Sequence, residues 1–490
     1  MSGRRSGIQG DRMSKLRSYL RGGLATTANV VAYAASDGRF VLLEGRRQGT
    51  TFHNWALRYR QRPHRIAEPT TEAEIIGLIR SHRRLRVVGS GHSFNPGIVT
   101  EEVLISLDAY SGLTSIDAVA EQVTVRAGTR VRDVVALMLD RGLAFTALPS
   151  HDAQSIGGIL STDVHGTGRT WGFVSESIVA LTIIDGTGAV HQCGPDDPLF
   201  RAAIGGVGAA GIITEATIQG VPRFTIEQRT RMQELDAVRH GLDDLIEHHD
   251  HVSLYLFPYA DHCQVNTWDR STKPTSPADE LQEFLNISAD ALLAAWVGNL
   301  LAYTGVLRLG RHWSRLAFLI KRGTQLVLES DNAHNRTIYH LHQELEFTIP
   351  FERTFEICDR LVSLYEHMAA ADRLPYLLLE VRFTPAGHDR TLIGPGQGRR
   401  CTWIDLIVND SDGFEQFYAA ALQVITDIGG RPHLGKYTEG IDGSYLKRLY
   451  GDDYRTFQAL VAEHDPEEKF ANAFTRRMLS HDSAGSGRKI

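Results

Sequence analysis

Residues 85–96 read LRVVGSGHSFNP, and this stretch decides the fold. Its first four residues form an apolar run typical of a buried strand, and the run ends in a turn with two glycines followed at once by His92. Glycines in such a turn let the backbone approach a ligand closely and present its N–H groups to an anion. The histidine then places a nucleophilic ring nitrogen beside the ligand. Because Gly-x-Gly also occurs for steric reasons alone, the stretch by itself leaves a binding turn and an ordinary loop open.

The neighbouring residues exclude two common nucleotide-binding motifs. A nicotinamide-binding Rossmann fingerprint would have its third glycine where this chain has Phe94, and a helix would follow. Here Asn95-Pro96-Gly97 leads instead to a second apolar run, residues 103–107. A phosphate-binding P-loop needs Gly-Lys-Ser or Gly-Lys-Thr, which the turn lacks. The turn therefore belongs to another nucleotide-binding geometry or to none.

Length and composition limit the class of protein. The chain has 490 residues, of which 42% are hydrophobic and 22% charged, and a formal net charge of -6. These values predict a soluble globular enzyme of about two to three domains and give no electrostatic case for binding nucleic acid. The four cysteines are scattered without a Cys-x-x-Cys pair, so we expect neither a disulfide framework nor a metal site, and a reducing, cytoplasmic location fits.

The two ends of the chain are predicted to lie outside the folded core. Six basic residues precede the modest apolar stretch 23–35, a pattern that secretory signal peptides share. The basic region is too long for a signal peptide and the apolar stretch contains two threonines and an asparagine, so a mobile or surface-lying basic arm is the preferred interpretation. Residues 481–490 are predicted to be a disordered tail.

Several segments carry clear secondary-structure signals. Thr71 is the expected N-cap of a helix that begins at Glu72. Residues 123–128 alternate as a strand does, and residues 131–139 form an amphipathic helical pattern. The sequence Asp-Gly-Thr-Gly at 185–188 lies between two apolar runs and predicts a hairpin.

A second glycine-rich segment spans residues 155–168 and reads SIGGILSTDVHGTG. It combines small residues, hydroxyl groups and His165. A tight turn with a short capped helix would explain it, and so would a second wall of a nucleotide site. We prefer the second explanation because two such segments lie within one α/β unit.

Residues 291–307 are markedly apolar, and basic residues follow them up to position 322. The stretch is marginally short for a membrane span, and Asn299, Tyr303 and Thr304 interrupt it. We predict a buried helical pair. A membrane-surface helix is the alternative, because basic residues beside an apolar face suit an anionic interface.

Two later segments carry charged residues in suggestive places. Glu380 and Arg382 lie two apart in the predicted strand 376–383 and so share one of its faces. A solvated charge pair is the ordinary explanation for them. His433 and Lys436 follow Gly429-Gly430, where the chain is expected to turn back toward its first part.

Taken in order, these segments resemble the vanillyl-alcohol oxidase type of FAD flavoproteins, and within it the sugar-alcohol and aldonolactone oxidases. The resemblance runs from residue 54 to about residue 479 and rests on motifs at 89–95, 155–158, 165–168, 380–382, 431–436 and 469–474. It implies an α+β fold with a two-part FAD-binding domain and a cap domain whose antiparallel sheet is flanked by helices. The implied parts are an arm (1–50), the FAD-binding domain (51–223), the cap domain (224–432), a returning C-terminal segment (433–480) and a tail (481–490).

The resemblance also implies roles for individual residues. His92 matches the histidine that bonds covalently to the flavin 8-methyl carbon, and one such link is expected because no cysteine lies near Ser150. Catalytic roles fall on Glu380, Arg382 and Lys436, whose two cations would favour a developing alkoxide. The expected substrate-binding residues are Ser150, Trp403, Asp405 and His433. The other positions expected to hold FAD are Val88, Gly89, Ser90, Gly91, Ser93, Phe94, Ser155, Gly158, Thr162, Asp163, Val164, His165 and Ile213.

The implied activity is oxidation of a CH–OH group of a small sugar, polyol or aldonolactone, by hydride transfer to flavin N5 with oxygen as the acceptor. Pro149 stands where a small residue influences oxygen access in related enzymes, which favours an oxidase over a dehydrogenase. Departures from the family pattern leave the substrate open, since Leu434 replaces the usual aromatic residue and Asp163 a usual glycine.

Two alternatives to a small-sugar oxidase stay open. One is an oxidase or dehydrogenase of a lipid-linked sugar that works in peripheral contact with a membrane, and Asp163, the apolar stretch and the basic arm favour it. The other is a flavin-binding protein without turnover, which the presence of Arg382 and Lys436 opposes. No sequence feature bears on the oligomeric state.

Overall fold

The computed structural model describes residues 20–32, 34, 45–304, 306–309, 312, 315, 323–331, 341–371, 374–409 and 413–480. It is an α+β fold in which two larger sheets and three small ones form the frame. The predicted tail and residues 1–19 of the predicted arm lie outside the described residues.

The strand predicted at residues 85–88 is confirmed and lies in a small parallel sheet. The order of this sheet is Arg65–Ala67, Val103–Ser106, Leu85–Val88. The helix Glu72–Ser81 connects two of the strands, and Thr71 caps it through a reciprocal capping box with Glu74, as predicted for the cap. An antiparallel sheet of Arg46–Gln48, Thr51–His53 and Arg60–Gln61 precedes it.

A five-stranded antiparallel sheet completes the N-terminal part. Its order is Val190–Cys193, Ile178–Ile184, Ile212–Gln219, Gln122–Arg126, Leu113–Asp117. The predicted hairpin at 185–188 is confirmed, since it joins the first two of these strands. The remaining elements of this part are helices Val131–Leu139, Ile156–Ser161 and Pro198–Ala203, a 3-10 turn Val174–Ser177, and the paired strands Leu143–Ala144 and Val221–Pro222.

An eight-stranded antiparallel sheet forms the second half of the molecule. Its order is Thr324–Glu329, Thr225–Glu234, His262–Ser271, His251–Leu256, Leu377–Thr384, Cys401–Asn409, His342–Pro350, Arg431–Pro432. Helices Thr354–Ala371 and Phe414–Asp427 cover one face, where Tyr418 donates to the carbonyls of Gln343 and Leu406. Because side chains alternate along a strand, residues 344, 346, 382 and 405 share the opposite face, which is turned toward the N-terminal part. Helices Leu235–His240 and Leu242–His248 lie before the strand that starts at His251.

The C-terminal segment returns to the first sheet, as expected. Helices Gly443–Tyr450, Asp452–His464 and Ala473–Leu479 follow the last strand. The Leu85 amide donates to Lys469 O (2.9 Å), and Arg86 donates to Phe470 O (2.7 Å). The motif at 469–474 therefore fastens the end of the chain to the strand that precedes the glycine turn. The domain boundaries stay predictions.

The prediction of a buried helical pair at 291–307 is wrong. The segment begins earlier, as helix Pro277–Leu292, and continues as a π-helical segment Leu293–Gly298, helix Asn299–Thr304 and a 3-10 turn Val306–Leu309. Several of its large apolar side chains are exposed. Residues 20–32 of the predicted arm are helical and contact this segment. The four cysteines are buried and free, and the cytoplasmic location stays a prediction.

Candidate active site

A cleft lies between the N-terminal sheets and the open face of the eight-stranded sheet. Clefts at the junction of two parts of a protein are common sites for a cofactor and a substrate. Both glycine-rich segments, the end of the strand Leu85–Val88 and residues 433–436 form its walls. The predicted site residues that line it are Val88, Gly89, Ser90, Gly91, His92, Ser93, Phe94, Ser150, Ser155, Gly158, Thr162, Val164, His165, Ile213, Arg382, His433 and Lys436.

The two glycine-rich segments approach each other closely at one side of the cleft. A Cβ atom added to Gly89 would lie 2.0 Å from Ser155 Oγ, so only glycine fits there without movement. Ser155 is the N-cap of the helix Ile156–Ser161, and its Oγ accepts from the Gly158 amide (3.3 Å). The segment is therefore a short capped helix and also part of the cleft wall, and its role in a nucleotide site stays a prediction.

His92 lies in this wall among aromatic rings. Its ring centroid is 4.2 Å from that of His151 and 5.7 Å from that of Trp55, which stacks on it. The Trp55 amide donates to Gly91 O (2.8 Å), which fixes the indole beside the turn. Burial, and then the neighbouring His92, holds the pKa of His151 well below its ordinary value, so this ring is neutral near pH 7.

The opposite wall carries a dense cluster of buried charges. Arg382 donates to Glu346 Oε1 at 2.5 Å, and His165 Nε2 lies 3.1 Å from the same oxygen. Lys436 Nζ contacts Glu344 and lies 3.5 Å from Asp405 and 3.6 Å from Glu346. Two cations thus face three buried carboxylates at one end of the cleft. The ligand atoms of His165, Glu346 and His433 lie within 4.8 Å of one another, but Glu346 already accepts from two donors and we assign no metal there.

Burial and pairing set the protonation states in this cluster. Burial alone would raise the pKa of Glu346, but Arg382, His165 and Lys436 together outweigh it and the pKa lies well below its ordinary value. Burial, then the nearby Glu344, raises the pKa of Asp405 well above its ordinary value, which favours its protonated form. Burial lowers the pKa of His433 to about 3 and also lowers that of His165. The wall therefore offers two fixed positive charges beside neutral imidazoles.

Backbone contacts bring Lys436 to the glycine turn. The Phe94 amide donates to Gly435 O (2.8 Å), and the Asn95 side chain donates to Leu434 O. The Lys436 amide in turn donates to His433 O (3.0 Å), which makes residues 433–436 a tight turn. The turn that carries Lys436 is consequently fastened to the turn that carries His92, and this contact joins the two walls.

Four predicted site residues do not line the cleft. Glu380 lies 3.9 Å from Arg382, and Asp405 contacts Lys436 from beneath. Trp403 is fully buried and stacks on His165, with ring centroids 3.4 Å apart. Asp163 has a positive φ of 50° and points away, accepting from Ser175 (2.8 Å) and contacting His388 (2.9 Å).

The sequence reasoning missed several residues of the wall. Glu344, Glu346 and His342 line the cleft from the strand His342–Pro350, and His151 and Trp55 line it beside His92. The signal for the strand was its alternation: polar residues occupy 342, 344, 346 and 348, and apolar residues 345, 347 and 349. Charged residues on one face of an otherwise apolar strand would have marked a polar cavity.

Comparisons with known proteins agree with this geometry. The family described as D-arabinono-1,4-lactone oxidase matches residues 216–478, and a second family, described as FAD binding domain, matches residues 63–194. L-gulono-1,4-lactone dehydrogenase of Mycobacterium tuberculosis is 27% identical over 437 residues, which cover 87% of this chain and 98% of that protein. L-gulonolactone oxidase of Bos taurus is 25% identical over 451 residues, covering 88% and 99%.

Solved structures show the same fold at low sequence identity. Cholesterol oxidase from B. sterolicum superposes with a TM-score of 0.68 at 16% identity, covering 88% of this chain and 97% of that one. A solvent-stable cholesterol oxidase gives a TM-score of 0.67 at 17% identity with the same coverage. The close approach of Gly89 to Ser155 in the cleft wall fits a bound dinucleotide such as FAD.

Proposed function

The chain belongs to the D-arabinono-1,4-lactone oxidase family, and from that premise we propose that it oxidises a CH–OH group of an aldonolactone or a closely related sugar or polyol, with FAD as its cofactor. One observation carries the proposal: Lys436 and Arg382 line the same cleft as the two glycine-rich segments, each held by buried carboxylates. FAD supplies the two-electron acceptor when bound.

The protein's contribution is orientation and electrostatics. Glu346 holds the Arg382 guanidinium, and Lys436 is held between Glu344 and Asp405. Fixed cations in a buried site stabilise negative charge on a substrate oxygen far better than mobile cations in water do. They would therefore favour the alkoxide that develops as the substrate hydroxyl loses its proton. Ser150, His165 and His433 border the same space and would bind the other hydroxyl groups.

We further propose a covalent bond between His92 and the flavin. Its support is the place of His92 in the cleft wall, between Trp55 and the neutral His151, on a turn whose glycines allow close approach. Acid precipitation of the purified protein tests it. A yellow pellet and a flavin mass on the peptide that contains His92 would support the bond, and a colourless pellet would overturn it.

Oxygen is the electron acceptor that we propose. Pro149 lines the cleft beside Ser150, and the relatives include proteins named oxidase and one named dehydrogenase. Oxygen consumption by the purified protein under turnover would support the oxidase. Turnover with an artificial acceptor such as a quinone or dye, but not with oxygen, would overturn it.

A substrate panel under anaerobic conditions tests the activity itself. Aldonolactones and polyols are mixed with the purified flavoprotein and the loss of flavin absorbance is followed. Bleaching by at least one lactone supports the proposal, and a flavin that no substrate reduces supports a binding protein without turnover. The lipid-linked alternative has less support because Asp163 pairs with His388 away from the cleft.

A further inference from the structure

One long helical segment outside the cleft exposes a row of large apolar side chains and buries several polar ones. It runs from Pro277 to Thr304 as an α-helix, a π-helical segment and a second α-helix, and we call it the cap helix. Surface helices of soluble proteins show the opposite arrangement, with polar residues toward water. The large side chains that it exposes, each between 44% and 59%, are Leu281, Leu285, Leu293, Val297 and Leu300.

Polar contacts on its inner side fix this orientation. Glu283 is buried and accepts from Gln228 (2.9 Å), a residue of the eight-stranded sheet. Asn299 is buried and accepts from Asn409 (2.6 Å) of the same sheet. Rotating the helix to bury its leucines would leave these polar groups buried without partners. Each unpaired group would cost on the order of several kcal/mol. These polar contacts therefore hold the leucines at the surface.

The exposed apolar residues form one broad stripe along the cap helix. Leu281, Leu285, Ala289, Leu293 and Val297 are spaced every four residues and all are exposed. In an α-helix with 3.6 residues per turn that spacing drifts by about 40° per step around the axis. The wider turn of residues 293–298 reverses the drift at the last step. The result is an apolar stripe that covers about a third of the helix circumference and is about 24 Å long.

A second helix extends this surface. Residues 20–32 expose Leu20, Leu24 and Val31, while Thr26 and Asn29 are buried. Trp296 of the cap helix donates to Thr27 Oγ1 (3.1 Å), which joins the two helices. Among the residues that the structure describes, fifteen large apolar side chains are exposed, and ten of them lie on these helices or on the turn Val306–Leu309. An apolar patch of this kind marks an interaction surface.

The sequence that contains and follows the C-terminal half of the stripe is basic. Residues 291–328 contain five Lys or Arg residues and no Asp or Glu. Two of the five, Arg308 and Arg315, are among the described residues, and the Arg315 side chain is exposed beside its partner Asp261. Three of the four acidic residues of the cap helix, Asp279, Glu280 and Glu283, lie in its first two turns, and the fourth is Asp290. A basic stretch that follows an apolar stripe complements anionic lipid headgroups.

We propose that this surface docks the protein on an anionic lipid bilayer, with the cap helix and residues 20–32 lying in the plane of the interface. By length and composition alone Pro277–Ala302 could cross a membrane. The segment, however, lies between His262–Ser271 and Thr324–Glu329, which both pair with Thr225–Glu234, so it leaves and re-enters one sheet. The stripe consists of leucine, valine and alanine without hydrogen-bonding groups, which suits lipid better than the polar rim of a protein partner. The inference does not depend on the proposed reaction.

Sedimentation of the full-length flavoprotein with lipid vesicles tests the proposal. We expect it to pellet with vesicles that contain phosphatidylglycerol, and to pellet less with phosphatidylcholine alone or at high salt. The variant L285S/L293S/L300S should bind the anionic vesicles about a hundredfold more weakly, because three half-exposed leucines no longer enter the bilayer. Its FAD content and melting temperature should match those of the unaltered protein. The control L113S/V119S/V190S changes three side chains exposed elsewhere and should bind normally.

Three outcomes would overturn the proposal. The unaltered protein could stay in the supernatant with anionic vesicles, or both triple variants could lose binding equally. In the third, the unaltered protein does not bind vesicles and is a dimer by sedimentation velocity, whereas the variant L285S/L293S/L300S is a monomer. That result would assign the stripe to a second copy of this chain instead.

Discussion

The two walls of the cleft are built in contrasting ways. The wall around Gly89 and Ser155 is formed largely by backbone, and its glycines leave no room for side chains. The wall on the eight-stranded sheet is formed by charged side chains, with Arg382 and Lys436 held by buried carboxylates. Backbone that approaches closely suits the binding of a cofactor, and fixed charges suit the stabilisation of a transition state. The contrast indicates that binding and chemistry can be separated by mutation.

The largest expected effect comes from the charged wall. Lys436→Ala should slow anaerobic reduction of the flavin about a hundredfold or more, because it removes a fixed cation from the developing alkoxide. FAD content should not change, since Lys436 lies at the substrate end. Stopped-flow measurement of flavin absorbance checks the rate, and an unchanged rate would remove Lys436 from the chemistry.

Acid stability should reveal the neutral histidines of the same wall. The folded-state pKa of His433 lies at about 3, below its unfolded value, so the unfolded chain binds a proton that the folded chain does not as pH falls below about 6.5. Stability is therefore fully present above that value and declines on acidification. At pH 5 the loss from His433 alone is about 2 kcal/mol. His433→Asn, whose side-chain oxygen can still accept from the Gly435 amide, should flatten the fall in melting temperature between pH 7 and 5. An equally steep fall in the variant would contradict a neutral His433.

Replacing Glu346 should slow flavin reduction, because Glu346 holds Arg382 in place. Glu346→Gln keeps an acceptor for His165 but removes the charge that holds the guanidinium, and we expect flavin reduction about tenfold slower. Glu380→Gln is the matched control, since Glu380 lies 3.9 Å from the same guanidinium and does not line the cleft. Reduction rates of the two variants decide the point, and equal effects would show that Glu346 has no special part in orienting Arg382.

A substitution in the wall around Gly89 should lower the FAD content of the protein. Gly89→Ala places a Cβ against Ser155 and disturbs the cap of the helix Ile156–Ser161, so bound FAD should fall severalfold in the purified protein. Gly194→Ala is the control because open space surrounds that residue. The flavin-to-protein absorbance ratio measures the effect. Full FAD content in Gly89→Ala would mean that the close approach is not needed for binding.

Local signals in the sequence predicted the frame of the molecule well. The strand Leu85–Val88, the cap at Thr71 and the hairpin at 185–188 depend on neighbouring residues and are confirmed. The burial of residues 291–307 was predicted wrongly because burial depends on what packs against a helix, and hydrophobicity alone does not reveal that. The roles assigned to the site residues stay predictions.

Only part of the charged wall could be predicted from the sequence, for a related reason. Arg382 and Lys436 belong to short motifs, whereas Glu344 and Glu346 lie on a strand without one and meet them only through the antiparallel register of the sheet. Trp403 and Asp405 were placed in the pocket from a resemblance, but their strand holds them beneath His165 and Lys436. Pairing between distant strands determines these positions.

The central claim is that this protein reduces its own bound FAD with an aldonolactone. The most direct measurement is anaerobic mixing of the purified yellow protein with L-gulono-1,4-lactone and D-arabinono-1,4-lactone, followed by flavin absorbance. We predict that at least one lactone bleaches the flavin and that oxygen restores the absorbance. A preparation that contains FAD and is bleached by dithionite but by no lactone would contradict the account.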